Sequence, residues 1–156
     1  MVAACAVLTV GCSTAGPGPR ACTEIGSPAG VSVTVARDVV APAMELTLRI
    51  CQDACRVERV DLMPGSVTVD ETCRPDLPDG SCSASSSPDG TMVGFVDVGD
   101  LTAGEVRIRG ELASGGSSRT RFEEVTVLAR ATYPNGRDCA AGGPQASIQV
   151  THAGLR

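Results

Sequence analysis

Apolar and polar residues alternate with a period of two along most of this chain, which is the mark of strands with one buried face. Gly30-Val31-Ser32-Val33-Thr34-Val35 sets its valines on one side. Met44, Leu46, Leu48 and Ile50 alternate with Glu45, Thr47, Arg49 and Cys51, and Val60 and Leu62 continue the apolar face in the next segment. Joining the two segments about Asp53 predicts a hairpin with the short loop Gln52-Asp53-Ala54. In that register Cys51 faces Cys55, Leu46 faces Val60 and Met44 faces Leu62. Both cysteines then fall on the outer face. Arg56 and Glu58 fall on the inner parity, so that end of the hairpin should overhang the core.

Ser66-Val67-Thr68-Val69 predicts a short strand. Residues 71 to 90 hold Pro75, Pro78, Gly80, Pro88 and Gly90, with two Pro-Asp-Gly turns, and predict a long loop. Met92 to Val98 is apolar on both faces apart from Asp97, as a central strand would be. Val106, Ile108, Gly110 and Leu112 alternate with Glu105, Arg107, Arg109 and Glu111, which predicts one buried face. Gly115-Gly116-Ser117-Ser118 is a turn. Val125, Val127, Ala129, Ala131 and Tyr133 line one face of a longer strand, ended by Pro134-Asn135-Gly136. Ala146, Ile148 and Val150 mark a last strand. No segment has helical periodicity. About eight short strands separated by Gly/Pro turns predict an all-β chain, an antiparallel β-sandwich.

The apolar run before Cys12 has a different character. Val7-Leu8-Thr9-Val10-Gly11-Cys12 ends it, and the flexible segment Ser13-Thr14-Ala15-Gly16-Pro17-Gly18-Pro19 follows. Small residues leading into a cysteine at the end of an apolar leader resemble the lipobox of bacterial lipoproteins. The resemblance implies cleavage before Cys12 and a lipid on its sulfur. It also implies a domain held at the outer face of the cytoplasmic membrane. The leader, residues 1–11, carries no Lys or Arg, whereas secretory leaders open with positive charge. The expectation is therefore a translation start upstream of Met1. The run is shorter than the ~18–20 residues a spanning helix needs. Residues 12–21 then form the lipidated cysteine and a tether reaching at most about 30 Å, and residues 22–156 form the β-sandwich domain.

Cysteine count adds to this. The chain has eight cysteines. Cleavage removes Cys5 and lipidation uses Cys12, leaving six, an even number, as disulfides require. Disulfides persist outside the cytoplasm. Local spacing and neighbouring chain ends predict the pairs Cys51–Cys55, Cys73–Cys82 and Cys22–Cys139. No CxxC occurs and the single histidine, His152, is far from any cysteine in sequence, so no metal site is expected.

Composition narrows function by exclusion. The aromatics are Phe95, Phe122 and Tyr133 alone, so Val, Leu, Ile and Ala must build the core. All thirteen cations are arginine and the net charge is −5. Without lysine there is no Walker-type GK[ST], no Schiff-base lysine and no SxxK. Acidic balance and scarce aromatics argue against nucleic acid as a partner. Phe95-Val96-Asp97-Val98 followed by Leu101-Thr102-Ala103-Gly104-Glu105-Val106 resembles the penultimate hairpin of immunoglobulin-like, fibronectin-III-like and transthyretin-like domains. Taken whole, the chain resembles the small Ala/Val/Gly-rich lipoproteins of GC-rich bacteria, a group that implies no particular activity and no cofactor.

Catalytic signals are few. His152 has no GxSxG partner and lies near the C-terminus. Glu123 and Glu124 are adjacent, and on a regular strand they would point to opposite faces. Asp70, Glu71, Asp76, Asp79 and Asp89 surround the long loop, where Asp beside Gly suits turns. That loop is the candidate contact surface, because irregular stretches carry binding. Two functional classes follow. The first is a non-enzymatic binding or scaffolding module of the cell envelope, contacting the membrane through its lipid and envelope proteins or cell-wall components through its surface. The alternative is a carboxylate-dependent hydrolase or sugar-active enzyme, which would need a pocket with two carboxylates about 5–10 Å apart.

Overall fold

In the computed structural model the described residues are 22–70, 84–115 and 118–156. They form an all-β chain of nine strands: β1 (Gly30–Val35), β2 (Glu45–Cys51), β3 (Cys55–Val60), β4 (Leu62–Asp70), β5 (Ala84–Asp97), β6 (Gly104–Ser114), β7 (Ser118–Thr132), β8 (Gly142–Thr151) and β9 (Gly154–Leu155). They join in one sheet, ordered β3-β2-β6-β7-β8-β1-β5-β4, with β9 on β8. Most neighbours are antiparallel, but β1 and β8 run parallel, Val31 beside Ala146 and Val33 beside Ile148. This corrects the expected antiparallel order. The chain returns to its first strand only after its longest excursion, so that pairing is of the crossover kind.

The sheet curls because β7 serves both halves. Residues 118–129 bond to β6, and Arg130 and Thr132 bond to β8. The inward residues of the two halves then make one core: Val31, Val33 and Val35 from β1, Leu46, Leu48 and Ile50 from β2, Val106 and Ile108 from β6, Ala146, Ile148 and Val150 from β8. This geometry is compatible with a sandwich. Phe122 is the only buried aromatic among the described residues. Branched aliphatics suit a half-buried pleated surface, and their period of two is what the alternation in the sequence reflects.

The β2–β3 hairpin has the register expected of it as far as Leu46↔Val60, with Cys51 opposite Cys55. Beyond that the expectation fails. Met44 does not pair with Leu62; Leu62 pairs with Gly94 in β5, in the other half of the sheet. The chain crosses between halves at Asp61. Gly94 makes this possible: a Cβ there would lie 2.5 Å from Val60 Cγ1 and 2.8 Å from the Asp61 carbonyl oxygen. The crossing backbone occupies the place of a side chain.

Three further expectations change. Residues 84–90 are strand, not loop, with Ser85, Ser86 and Ser87 paired to Val69, Thr68 and Val67. Phe95 is partly exposed, so Met92–Val98 is not buried on both faces. Tyr133 lies beyond the end of β7, exposed, with the Arg137 guanidinium 5.6 Å from its ring centroid. In β7 a bulge puts Phe122 opposite Gly110 and Val125 opposite Ile108. Phe122 and Val125 thereby both face inward, and the period of two slips by one residue.

Two disulfides staple the domain. Cys51–Cys55 closes the hairpin, and Cys22–Cys139 spans 117 residues with Cα atoms 5.9 Å apart. The latter pins the entering segment against the loop after β7. The Asn135 amide of that loop donates to the Ile25 carbonyl at 3.0 Å, and the Gly143 N–H at the start of β8 donates to the Ser27 carbonyl at 2.8 Å. Cys73 and Cys82 lie outside the described residues, as do the leader and tether. The hairpin tip is also clamped: Gln52 accepts from the Thr102 N–H and donates to the Thr102 carbonyl, each at 3.0 Å. Arg56 covers the end of the core and pairs with Asp100, which is how a charged residue occupies an inward position.

Loss of Cys22–Cys139 by double serine substitution should cost about 4–5 kcal/mol, and loss of the short Cys51–Cys55 loop ~2 kcal/mol or less. Urea melts of the two variants would give this order, and the reverse order would show that loop entropy is not what the bridges supply. Gly94→Ala should destabilise by on the order of 1–3 kcal/mol, because the added methyl overpacks the crossing; an unchanged melt would show that the crossing is loose.

Candidate functional site

The expected contact loop divides between described and undescribed residues. Glu71, Asp76 and Asp79 lie outside the described residues. Asp70 closes β4 opposite Ala84. Asp89 serves a turn within β5: its carboxylate accepts from the Thr91 N–H at 2.9 Å and the Thr91 hydroxyl at 2.7 Å, and Gly90 follows with φ of 82°. This Asx turn absorbs the extra residues by which β5 outruns β4 between Pro64 and Ser66. The Thr91 bonds, side chain first, hold the Asp89 carboxyl below its ordinary range. Asp89 is thus occupied in local structure.

Beside this turn, β4 forms an outer edge of the sheet. Met63, Val67 and Val69 on it are 61%, 50% and 45% exposed. An edge strand carrying apolar side chains is a surface that other chains can cover.

The other notable surface is the outer face of β2, β6 and β7. The same alternation that sends Leu46, Leu48, Val106 and Ile108 inward sends Arg49, Arg107, Arg109 and Glu111 outward. Arg49 pairs in register with Arg109, so two guanidinium side chains leave adjacent strands at the same height. Neither has an ion-pair partner among the described residues. One step along β6, Glu111 receives Arg119 Nη1 at 2.7 Å on one oxygen and Arg121 Nε at 3.0 Å on the other. Hydrogen bonds from Arg119 and then Arg121 hold the Glu111 carboxyl below its ordinary range. Thr47, Arg49, Val57, Arg109, Glu111, Arg119 and Arg121 line an open groove of about 390 Å³ on this face.

The β7 bulge bears on the acidic residues here. Glu123 and Glu124 lie between inward Phe122 and inward Val125, and both are exposed. The expectation that they point to opposite faces is therefore corrected: the bulge gives both the outer face. Glu124 pairs with Arg107 at 3.6 Å. Neither glutamate lines the arginine groove.

Catalytic groupings are scattered. His152 is exposed and 3.6 Å from Asp38. Among the described residues no three of His, Cys, Asp and Glu are grouped to hold a metal. A groove between the sheet halves, lined by Met44, Leu62 and Met92, also carries Glu45 and Asp61, with Glu45 paired to Arg59 at 3.3 Å. A second recess at the hairpin tip carries Asp53 and Asp100, with Asp100 paired to Arg56. In each, an arginine engages one carboxylate of the two.

The arginine groove was not anticipated. Its signal was present in the alternation, since Arg49 and Arg109 fall on outward parities; the pairing of β2 with β6 was what the sequence lacked. A pH dependence follows from Glu111 and Asp89. Both carboxyls are held low in the fold, so the stability they add is present above the unfolded values and is lost as pH falls through the folded ones. Melting temperature should therefore fall from about pH 4 downward. Glu111→Gln should make that decline shallower, and a decline equally steep in E111Q would mean the pair with Arg119 and Arg121 contributes nothing. Comparison of the chain with models of known protein families, with curated proteins and with solved structures found no match.

Proposed function

We propose that the chain is an extracytoplasmic lipoprotein, anchored by a lipid on Cys12, whose domain acts as a non-enzymatic binding module at the outer face of the cytoplasmic membrane. Three things support the reading: the lipobox-like end of the leader, the even cysteine remainder after Cys12, and a described domain that is disulfide-bonded. Its immunoglobulin-like character is part of the same proposal, resting on the strand pattern around Phe95 to Val106.

The observation that carries the binding part is the edge strand β4, with Met63, Val67 and Val69 exposed beside the expected contact loop. Exposed apolar side chains on a strand that pairs on one side only among the described residues favour strand addition by a partner. A tether holding the domain close to the envelope raises effective concentration, so modest contacts suffice.

Expressed in a bacterium with a full leader, the protein should partition into detergent, and Cys12→Ala should not. A wild type that stays aqueous with Cys12 free defeats the anchor. Val67→Lys/Val69→Lys should leave anchoring and melting intact but abolish crosslinked partners in cells. If crosslinking is unchanged, β4 is not the contact.

A further inference from the structure

We infer that the groove on the outer face of β2, β6 and β7 is a binding site for a small phosphate ester, held between Arg49 and Arg109 and flanked by Arg119 and Arg121. This goes beyond the proposed anchor and the β4 contact and does not rest on either.

The first argument is energetic. Like charges directly opposite on neighbouring strands destabilise a sheet, and opposite charges stabilise it. This chain has more carboxylates than cations, and it uses them to pair Arg56, Arg59, Arg107, Arg119 and Arg121. Arg49 and Arg109, in register with each other, have no such partner among the described residues. An acidic protein that sets two bare guanidinium groups side by side has the layout of an anion site.

The second argument is geometric. Directly opposite residues have Cβ atoms about 4.5–5.5 Å apart, so both guanidinium groups can reach one anion. Each offers a planar fork that matches phosphate bidentately. Glu111 ties back Arg119 and Arg121, which holds two more cations at the rim at reduced entropic cost. Val57, 65% exposed, is the apolar member of the lining and offers a surface to the carbon skeleton of an ester. The groove volume lies at the small end of ligand sites, which run about 300–1,000 Å³.

The third argument concerns size of ligand. The groove lining holds four arginines and one glutamate. The wider face adds Arg59 and Arg107, but also Glu45, Glu105, Glu123 and Glu124. Positive charge is therefore concentrated in the groove and outweighed by carboxylates around it. This favours one compact dianion entering the groove over a broad anionic membrane surface, which would meet the flanking carboxylates. A phosphate monoester carries about −1.5 to −2 charge and three acceptor oxygens, matching several arginine forks better than a carboxylate does.

The test is calorimetric titration of the full chain with glycerol 3-phosphate at low salt. Saturable binding is expected. Arg49→Gln/Arg109→Gln should weaken it at least roughly tenfold, since charged hydrogen bonds are lost from both sides of the anion. Arg37→Gln/Arg156→Gln removes the same charge elsewhere and should not. R49Q/R109Q should melt at the same temperature as wild type or slightly above it, because a like-charge pair has been removed. Weaker binding together with an undiminished melt separates a ligand site from a structural role. No binding by wild type overturns the proposal. So does equal binding by R49Q/R109Q, tighter binding of succinate than of glycerol 3-phosphate, or binding to phosphatidylglycerol vesicles with none to the soluble ester.

Discussion

The fold depends on one apolar interaction, the contact of small branched side chains across a curled sheet. Val31, Val33 and Val35 of β1 meet the inward rows of β2, β6 and β8 in a single cluster. Each valine or alanine buries little area, and a stabilisation of about 25 cal/mol per Å² makes area the relevant quantity. The chain compensates with length of sheet and with covalent closure. Its long strands place many small contributions in one row, and the Cys22–Cys139 bridge removes freedom from the unfolded chain over most of the domain.

Two local departures from regular strand geometry let that core close, and both shape the surface. At Asp61 the chain leaves one half of the sheet for the other, passing where a side chain at position 94 would stand. This frees β4 to become an edge and exposes Val67 and Val69. At Glu123 and Glu124 the β7 bulge turns Phe122 inward beside Val125. The same bulge sets both glutamates outside, on the side of Arg107, and the arginine groove keeps Glu111 as its one carboxylate beside Arg49, Arg109, Arg119 and Arg121. Core packing and surface chemistry are thus set by the same few residues.

The two surfaces are different in kind. The β4 edge offers backbone hydrogen bonds and apolar side chains, which suit another polypeptide. The arginine groove offers converging charged donors and suits a small anion. They lie on strands at and near opposite ends of the sheet order, so occupation of one need not obstruct the other.

Alternation of residue type determined the strands, the inward faces of β1, β2, β6 and β8, and the β2–β3 register down to the opposition of Cys51 and Cys55. These are local matters: side-chain parity has a period of two, and a three-residue loop fixes the pairing of its flanks. Turn chemistry at Pro88-Asp89-Gly90 was legible too, though it pointed to a loop where the turn sits inside a strand. The tertiary structure alone decided the parallel neighbourhood of β1 and β8, the crossing at Gly94, the bulge in β7 and the facing of Arg49 by Arg109. Each depends on which distant segment lies alongside, and parity within one strand carries no information about its neighbour. The arginines were visible as outward residues, but they became a site only when β2 was laid against β6.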